Sequence, residues 1–359
     1  MRLRLIPRDE RFYDMFVEDA ANVLGAARLL PTLSAICLLL PTLALVGCSS
    51  TKAPRPSAAN PVDTLPAIPE EPARSVHPVM LGIDVLEADG FAAVKGKRIG
   101  LLSHPAGVNR QGVPTVDVLR KAPGVKLVAL FGPEHGIHGD APASAKIPDT
   151  TDRRTGLPVF SLFPPRRPTK AMLKDIDALV IDLQDIGARI YTYIYTMANC
   201  LRACAKHGVD IIVCDRPNPI GGVDVEGPML VPGHESFVGQ FPIPMRHGMT
   251  IGELARLFND AFGIGADLEV VPMVGWQRGQ YADETGLPWV MPSPNMPTLD
   301  SAIVYPGTVL FEGTMLSEGR GTTRPFELVG APWIDAERFA DALNALHLPG
   351  AYFRPAGFE

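Results

Sequence analysis

This sequence of 359 residues contains few cysteines and no excess of basic over acidic residues. Its five cysteines are too few and too scattered to form a disulfide framework. Three of them, Cys200, Cys204 and Cys214, fall in a predicted helix and at a predicted strand end, where we expect small buried side chains. The formal net charge of −6 excludes the basic surface that is typical of proteins that bind nucleic acid.

Nucleotide-binding motifs are absent as well. The first predicted strand is followed by Ser-His-Pro-Ala-Gly at residues 103–107, which lacks the glycines of a Gly-x-Gly-x-x-Gly turn. No Walker loop occurs, so we expect neither a nucleotide nor a dinucleotide cofactor, and no other cofactor is predicted. The Gly-x-Ser-x-Gly elbow of serine hydrolases with an α/β fold is also missing.

The first 77 residues form three segments that are not typical of a globular domain. Residues 1–28 mix arginines with acidic side chains in an anomalous amphipathic extension, unlike the cationic start of a signal peptide. Residues 29–48 are apolar and end in Leu-Val-Gly-Cys, the pattern of a bacterial lipobox. Residues 49–77 form a proline-rich linker that we expect to be extended and semi-rigid.

The lipobox pattern predicts that Cys48 is lipidated and becomes the mature N-terminus. A short transmembrane anchor is the alternative, although the apolar segment contains two prolines and is short for a span. We therefore expect an exported lipoprotein held at the membrane by its acyl chains. Because Ser49 follows the cysteine, a Gram-negative host would place it on the periplasmic face of the outer membrane.

Continuous apolar runs predict the strands of a parallel sheet that is covered on both faces. They are residues 98–102, 126–130, 178–182 and 210–214. Helix-like segments separate them, most clearly at 114–121 and 191–207. This alternation predicts an α/β protein with a Rossmann-like, mostly parallel sheet domain over residues 78–235.

Polar side chains follow each predicted strand. They are His104 after the first strand, Glu134 and His135 after the second, Asp182, Asp185 and Arg189 after the third, and Asp215, Arg216 and Asn218 after the fourth. The carboxyl ends of parallel strands meet at one edge of a sheet, where open α/β folds bind ligands. Four polar clusters on one edge favour a functional site over ordinary polar turns.

Residues 236–359 are predicted to form a smaller α+β domain. Thr250 and Glu253 make a capping box at the start of a helix. The other predicted elements are a strand at 268–272, polar loops at 292–298 and 316–326, and an amphipathic helix at 335–347. Long shaped loops often carry function, so both polar loops are candidates for substrate contacts.

The loop at 131–139, Phe-Gly-Pro-Glu-His-Gly-Ile-His-Gly, allows two chemical interpretations. Glu134 can act as a general acid or base if a pocket tunes its protonation. Alternatively, a carboxylate with His104, His135 and His138 could bind a metal, although the histidine spacing in the loop is not the helical i, i+4 pair of zinc enzymes. We favour the first interpretation and predict no metal site.

Several motifs, in order along the chain, resemble those of the bacterial exo-β-N-acetylmuramidases, a family long described as a domain of unknown function. The resemblance runs from about residue 81 to the end of the chain. The motifs are Gly-Ile-Asp-Val-Leu at 82–86, Gly-Leu-Leu-Ser-His-Pro-Ala-Gly at 100–107, Phe-Gly-Pro-Glu-His-Gly at 131–136, Asp-Leu-Gln-Asp-Ile-Gly-Ala-Arg-Ile-Tyr-Thr-Tyr at 182–193, Asp-Arg-Pro-Asn-Pro at 215–219 and Ser-Glu-Gly-Arg-Gly-Thr-Thr-Arg-Pro-Phe at 317–326.

The resemblance implies an enzyme that releases non-reducing terminal N-acetylmuramic acid from peptidoglycan fragments, with its active site in a cleft between the two domains. It implies that Glu134 is catalytic. A second group is expected to act at the anomeric carbon, either the substrate's own acetamido group or one of three carboxylates. These are Asp182, Asp185 and Glu318.

Candidate substrate-binding residues also follow from the resemblance. An arginine would bind the lactyl carboxylate of muramic acid, since guanidinium groups suit bidentate carboxylate contacts. The candidates for that role are Arg189, Arg320 and Arg324. The candidate sugar contacts are Tyr191, Tyr193 and Asn295, and further binding candidates are His104, His135, Arg216, Asn218 and Thr322.

Two parts of the chain depart from the family pattern. Residues 1–30 resemble the start of a phosphate-transport regulator, and the family continues beyond the point where this sequence stops, so the C-terminal domain is expected to be incomplete. Two other functions stay open on sequence alone. They are a non-catalytic lipoprotein that binds muropeptides and a metal-dependent cell-wall amidase.

Overall fold

The computed structural model describes residues 79–358, so the predicted extension, lipobox with Cys48, and most of the linker lie outside the described residues. A seven-stranded sheet forms the centre of the fold. Its strands are β1 (Arg98–Ser103), β2 (Lys126–Gly132), β3 (Thr150–Thr151), β4 (Pro158–Ser161), β5 (Ala178–Asp182), β6 (Asp210–Cys214) and β9 (Leu268–Val271). Their order across the sheet is β3-β4-β2-β1-β5-β6-β9. A separate antiparallel pair contains β7 (Glu226–Met229) and β8 (Pro244–Arg246).

The four predicted apolar runs form neighbouring strands at the centre of the sheet. β1 pairs in parallel with β2 on one side and with β5 on the other, and β5 pairs in parallel with β6. All five residues of β5 are buried, as expected for a strand covered on both faces. In the register of β1 and β5, Ser103 lies opposite Asp182, so the polar residues that follow both strands begin at one edge.

Helices cover both faces of the sheet. They are α1 (Gly82–Ala88), α2 (Thr115–Lys121), α3 (Tyr193–His207), α4 (Ile251–Arg256), α5 (Leu299–Thr308) and α6 (Ala336–Asn344). Helix α3 is largely buried and ends at Gly208, whose φ of 67° suits glycine. Cys200 and Cys204 on α3 and Cys214 on β6 are free thiols in the core, which confirms their predicted burial.

Helix α4 and strand β9 lie beyond residue 235, in the segment expected to form the second domain, yet β9 belongs to the seven-stranded sheet and α4 packs against it. Thr250 accepts a hydrogen bond from the Glu253 backbone, and the predicted capping box is confirmed. Strand β9 pairs in parallel with β6 and forms an edge of the sheet, and α4 lies between the two strands in the chain. The sheet therefore extends to Val271, and the two polar loops follow it.

Residues 272–358 contain little regular structure apart from α5 and α6. Tyr305 on α5 and Phe326 in the second polar loop are both buried, and they join this region to the main core. Within the described part of the chain, no helix combines the length and the apolar character needed to span a membrane.

Candidate active site

The loop after β2 presents Glu134 at the carboxyl edge of the sheet. Gly132 permits the chain to fold back, since a side chain there would meet the Ile137 backbone nitrogen at 2.7 Å. His135 adopts a left-handed φ of 68°, a conformation that is uncommon for residues other than glycine and often found at functional sites. The buried Glu134 carboxylate accepts one hydrogen bond, from the Ser144 N–H to Oε1 at 3.0 Å. Its Oε2 makes no hydrogen bond within residues 79–358.

His135 stabilises this loop from inside. Its Nδ1 donates to the Ala141 carbonyl oxygen at 2.9 Å, because a carbonyl can only accept. His135 is buried, whereas the imidazole of His138 is exposed and lies 3.4 Å from an Asp152 oxygen. The two histidines therefore point to different surroundings. Within the described ranges, no three or more His, Cys, Asp or Glu side chains are grouped so as to hold a metal ion.

The second polar loop and the helical turn before it, Val309–Gly313, contribute an arginine and two carboxylates to one ion-pair cluster. Arg320 Nε lies 2.9 Å from Glu318 Oε1 and 3.1 Å from Glu312 Oε1, and Arg320 Nη2 also contacts that Glu312 oxygen. The guanidinium carbon of Arg320 lies 5.0 Å from the centre of the Phe326 ring. The arginine is thus held from three sides. Its Nη1 donates no hydrogen bond within residues 79–358.

Glu134 is close enough to this ion-pair cluster to affect its protonation. Burial raises the pKa of Glu312, and the Arg320 guanidinium opposes that rise. The charges of Glu318 and Glu134 raise the pKa of Glu312 further. Three carboxylates from two distant parts of the sequence therefore share one acidic site with a single arginine.

Three buried tyrosines line the same site. The rings of Tyr191 and Tyr193 are 4.8 Å apart, and that of Tyr305 is 6.1 Å from Tyr191, both pairs in edge-on geometry. Tyr193 also donates from its hydroxyl to the Pro292 carbonyl at 2.6 Å, which ties the first polar loop to α3. Burial raises the pKa of all three hydroxyls, and the charge of Glu134 adds to each rise. They therefore remain protonated donors at neutral pH.

Glu312 and Tyr305 were not among the residues expected from the sequence. Both lie before the second polar loop, Tyr305 in α5 and Glu312 in the short helical turn Val309–Gly313. Neither belongs to a quoted motif, and their surroundings on sequence alone are those of an apolar helix end. The sequence signal that could have indicated Glu312 is the Glu-Gly-Thr at 312–314, where a carboxylate precedes a glycine just before a polar loop.

Asp182 and Arg216 are brought together, but inside the protein. Arg216 Nε and Nη2 donate to the two Asp182 oxygens at 2.5 and 2.9 Å, and Thr115 adds its hydroxyl. The Asp182 side chain is 0% exposed and the Arg216 side chain is 4% exposed, so the ion pair is buried. Arg216 also donates to the Val108 carbonyl at 2.6 Å. The Asp182 carboxylate is not available to a substrate, which argues against the catalytic role expected of it. Arg216 lines a cavity with Asn109 and Gln184, so its expected binding role stays a prediction.

Asp185 is likewise buried and occupied. Its Oδ2 accepts from the Gly187 N–H at 2.8 Å and from His247 Nε2 at 3.1 Å. The other His247 nitrogen accepts from the Met249 N–H, so the proton lies on Nε2. Asp185 Oδ1 makes no hydrogen bond within the described residues, but it is sealed from solvent. This geometry joins two loops and does not present the carboxylate to a ligand.

His104 also has a structural role. Its Nδ1 donates to the Pro292 carbonyl at 3.1 Å, and its Nε2 accepts from the Gln184 N–H at 2.9 Å. Both ring nitrogens are therefore in use. Burial lowers the pKa of His104 to about 3, which keeps the ring neutral. The ring thus connects the first polar loop to the strand ends, and both of its nitrogens are engaged within the protein, which argues against the substrate-binding role expected of it.

Arg189 and Asn218, two further binding candidates, support neighbouring backbone. Arg189 Nη1 donates to the carbonyls of Pro228 and Ile243, both at 3.0 Å. The Asn218 side chain donates to the Met249 carbonyl at 3.1 Å and accepts from the Ile220 N–H at 3.1 Å. Both residues are buried. Their contacts stabilise the strand-end loops.

The remaining candidates lie in the polar loops. Arg324 is exposed and pairs with Glu327 at 2.7 Å and Asp300 at 3.5 Å. Thr322 donates to the Gly319 carbonyl at 2.6 Å and stabilises the turn. The half-buried Asn295 amide makes no hydrogen bond within the part of the chain that the structure describes. Among these three, only Asn295 keeps its polar atoms free for a ligand.

Two family models cover most of the described chain. The first, for the N-terminal part of the exo-beta-N-acetylmuramidase NamZ, matches residues 99–300, and the second, for its C-terminal part, matches residues 303–359. The chain belongs to the exo-beta-N-acetylmuramidase NamZ family. The family predicted from the motifs is therefore confirmed.

A relative of this NamZ family member is the peptidoglycan beta-N-acetylmuramidase NamZ of Bacillus subtilis (strain 168). The two are 55% identical over 281 residues, which cover 78% of this chain and 68% of that protein. Among solved structures, a DUF1343 family protein from Bacteroides fragilis superposes with a TM-score of 0.72 at 47% identity, covering 77% of this chain and 71% of its own. A second one gives a TM-score of 0.62 at 37% identity, with coverages of 71% and 68%. The α/β fold expected from the sequence is confirmed.

Proposed function

We propose that this protein is an exo-acting glycoside hydrolase that releases non-reducing terminal β-linked N-acetylmuramic acid from peptidoglycan fragments during cell-wall turnover. Membership of the NamZ family supports the glycosidase class, and the named activity of the B. subtilis relative supports the substrate. The observation that carries the proposal is the buried Glu134 carboxylate at the carboxyl edge of the sheet, whose charge acts on a second carboxylate, Glu312. Glycosidases require two groups of this kind on the two sides of the scissile bond.

Glu134 is the general acid in this proposal. Its Oε1 is fixed by the Ser144 N–H, which orients the carboxyl group, and its Oε2 is free of hydrogen bonds within the described residues. A carboxyl group oriented through one oxygen can donate a proton from the other to the glycosidic oxygen. The edge position after β2 also agrees with the ligand site of open α/β sheets.

Arg320 is the best-supported contact for the lactyl carboxylate of muramic acid. The other arginine candidates are occupied, since Arg189 is bonded to carbonyls and Arg324 pairs at the surface. Arg320 is held rigidly beside the acidic site and keeps Nη1 unbonded within residues 79–358. Tyr191 and Asn295 remain proposed sugar contacts, because both lie in or beside the loops around this site.

The test compares Glu134→Gln with wild type on N-acetylmuramyl-β-1,4-N-acetylglucosamine. General acid catalysis is worth about 10²–10⁴-fold, so the variant should lose that much in kcat/KM. An aryl N-acetylmuramide has a leaving group that needs less protonation, so its loss should be smaller. Glu87→Gln, on the exposed end of α1, is the matched control. Near-normal turnover of the disaccharide by Glu134→Gln would refute the assignment.

The same assay separates the other candidate functions. A non-catalytic muropeptide-binding lipoprotein would bind the disaccharide saturably and yield no free sugar. A metal-dependent amidase would release stem peptide from a muropeptide and lose activity with a chelator. We expect sugar release that a chelator leaves unchanged.

Anchoring by a lipid at Cys48 is part of the proposal. It is supported by the Leu-Val-Gly-Cys sequence at 45–48 and the proline-rich stretch behind it. Labelled palmitate fed to cells expressing the full chain should enter the wild-type protein and not the Cys48→Ser variant. Fractionation should then find the wild type in the outer membrane of a Gram-negative host. Equal labelling of both proteins would contradict the anchor.

A further inference from the structure

We propose that Glu312 is the second catalytic carboxylate of this enzyme and stabilises the positive charge that develops at the anomeric carbon. The inference rests on the proposed glycosidase function and adds a residue that the sequence motifs do not contain. It starts from the elimination of two of the three carboxylates expected for that role; the third, Glu318, pairs with Arg320 Nε at 2.9 Å and shares that arginine with Glu312. Asp182 is saturated by Arg216 and Thr115, and Asp185 is sealed among backbone donors and His247.

The geometry of Glu312 differs from that of both. Arg320 Nε and Nη2 bind a single Glu312 oxygen, Oε1, which fixes the direction of the carboxylate. The second oxygen, Oε2, makes no hydrogen bond within residues 79–358. A carboxylate tethered through one oxygen has the other ready for a substrate, as Glu134 does.

Ring contacts connect Glu312 to the strand-end loops. Its partner Arg320 lies 5.0 Å from the centre of the Phe326 ring, that ring is 4.6 Å from Tyr305, and Tyr305 is 6.1 Å from Tyr191. The charge of Glu134 acts on both Glu312 and the Tyr305 hydroxyl, so these groups share one region of low solvent exposure. The Glu312 side chain is 14% exposed, against 64% and 65% for typical surface carboxylates such as Asp175 and Glu226. Charges interact more strongly when water is excluded.

The net charge of the cluster suits the reaction. Glu312 and Glu318 together carry two negative charges, and Arg320 neutralises one of them. The transition state of glycoside hydrolysis resembles an oxocarbenium ion, which gains positive charge at the anomeric carbon. Fixed negative charge beside that carbon stabilises the transition state more than the neutral substrate. Glu318 supports this arrangement by sharing Arg320.

In this scheme the Glu134 carboxyl gives its proton to the glycosidic oxygen as the bond to the anomeric carbon breaks. The bonding electron pair leaves with that oxygen, and Glu312 stabilises the cation that remains. Water then forms the new bond to the anomeric carbon, and the proton it loses restores the acid form of Glu134. The sum is one water consumed and two hydroxyl groups formed.

The test measures Glu312→Gln on the disaccharide and on an aryl N-acetylmuramide. Removing one electrostatic stabiliser of a transition state commonly costs about 10²–10³-fold in kcat, and the loss should be similar for both substrates. The Glu134→Gln variant should behave differently, because its loss of activity depends on the leaving group of the substrate. The matched control is Glu226→Gln, which removes an Arg–Glu pair of 2.7 Å at the exposed hairpin of β7 and β8.

A structural role would be revealed by two further measurements. The urea midpoint of Glu312→Gln should stay near that of the wild type, and formate should restore part of the activity of Glu312→Ala by replacing the missing carboxylate. A lowered midpoint with no rescue by formate would overturn the proposal. So would turnover by Glu312→Gln within about threefold of wild type while Glu134→Gln is inactive. Normal turnover by both variants would overturn both residue assignments, whereas absence of sugar release by the wild type would overturn the proposed function.

Discussion

The buried pair of Asp182 and Arg216 gives the sharpest test of which carboxylates are structural. The substitution Asp182→Asn keeps the volume of the side chain and removes its charge. In the wild type, Asp182 accepts two bonds from Arg216, at 2.5 and 2.9 Å, and one from Thr115. The variant leaves the Arg216 guanidinium buried without a counter-charge, with the Val108 carbonyl as its other acceptor.

The expected cost follows from the burial of this pair. Breaking a fully buried ion pair by removing one partner costs about 3–5 kcal/mol, because the remaining charge loses its compensation. The asparagine oxygen can still accept one bond, so we expect about 3 kcal/mol for Asp182→Asn. A typical domain unfolds with about 5–15 kcal/mol, so the variant should lose a large share of its stability.

Urea unfolding followed by circular dichroism measures this loss. The control is Asp210→Asn, which breaks a partly exposed pair with Lys97 at 2.9 Å and should cost less than about 1 kcal/mol. Below its unfolding transition, the folded Asp182→Asn protein should retain measurable hydrolysis. Wild-type stability combined with lost hydrolysis would refute the structural assignment and return Asp182 to the catalytic group.

Two further predictions concern His104 and Arg324. Burial lowers the pKa of His104 to about 3 from an ordinary 6.5, so below pH 6.5 the unfolded chain binds the extra proton. The free energy of unfolding should therefore fall as pH falls, by up to about 1.4 kcal/mol per pH unit from this group. His104→Asn should show a shallower slope in urea titrations between pH 7 and 5, and equal slopes would contradict the argument. Arg324→Ala should leave kcat/KM within about twofold, because Arg324 is exposed and paired with Glu327 at 2.7 Å; a large rise in KM would show that it binds substrate.

Much of the fold could be predicted because its signals are local. The buried parallel strands appear as continuous apolar runs, and the capping box at Thr250 needs only two residues three positions apart. The place of β9 could not be predicted in the same way. A short strand such as Leu268–Val271 does not reveal which sheet it joins, since pairing depends on β6, more than fifty residues earlier.

The sequence by itself determined the family, the central sheet and the loop that carries Glu134 at its edge. These follow from apolar periodicity and from glycine and proline positions that act within a few residues. Only the tertiary structure decided which charged side chains face that edge. Asp182 and Glu312 are both carboxylates near the ends of regular elements, yet one is sealed by Arg216 and the other keeps a free oxygen. The difference arises because burial and pairing depend on partners far apart in sequence, and the fold alone brings those partners together.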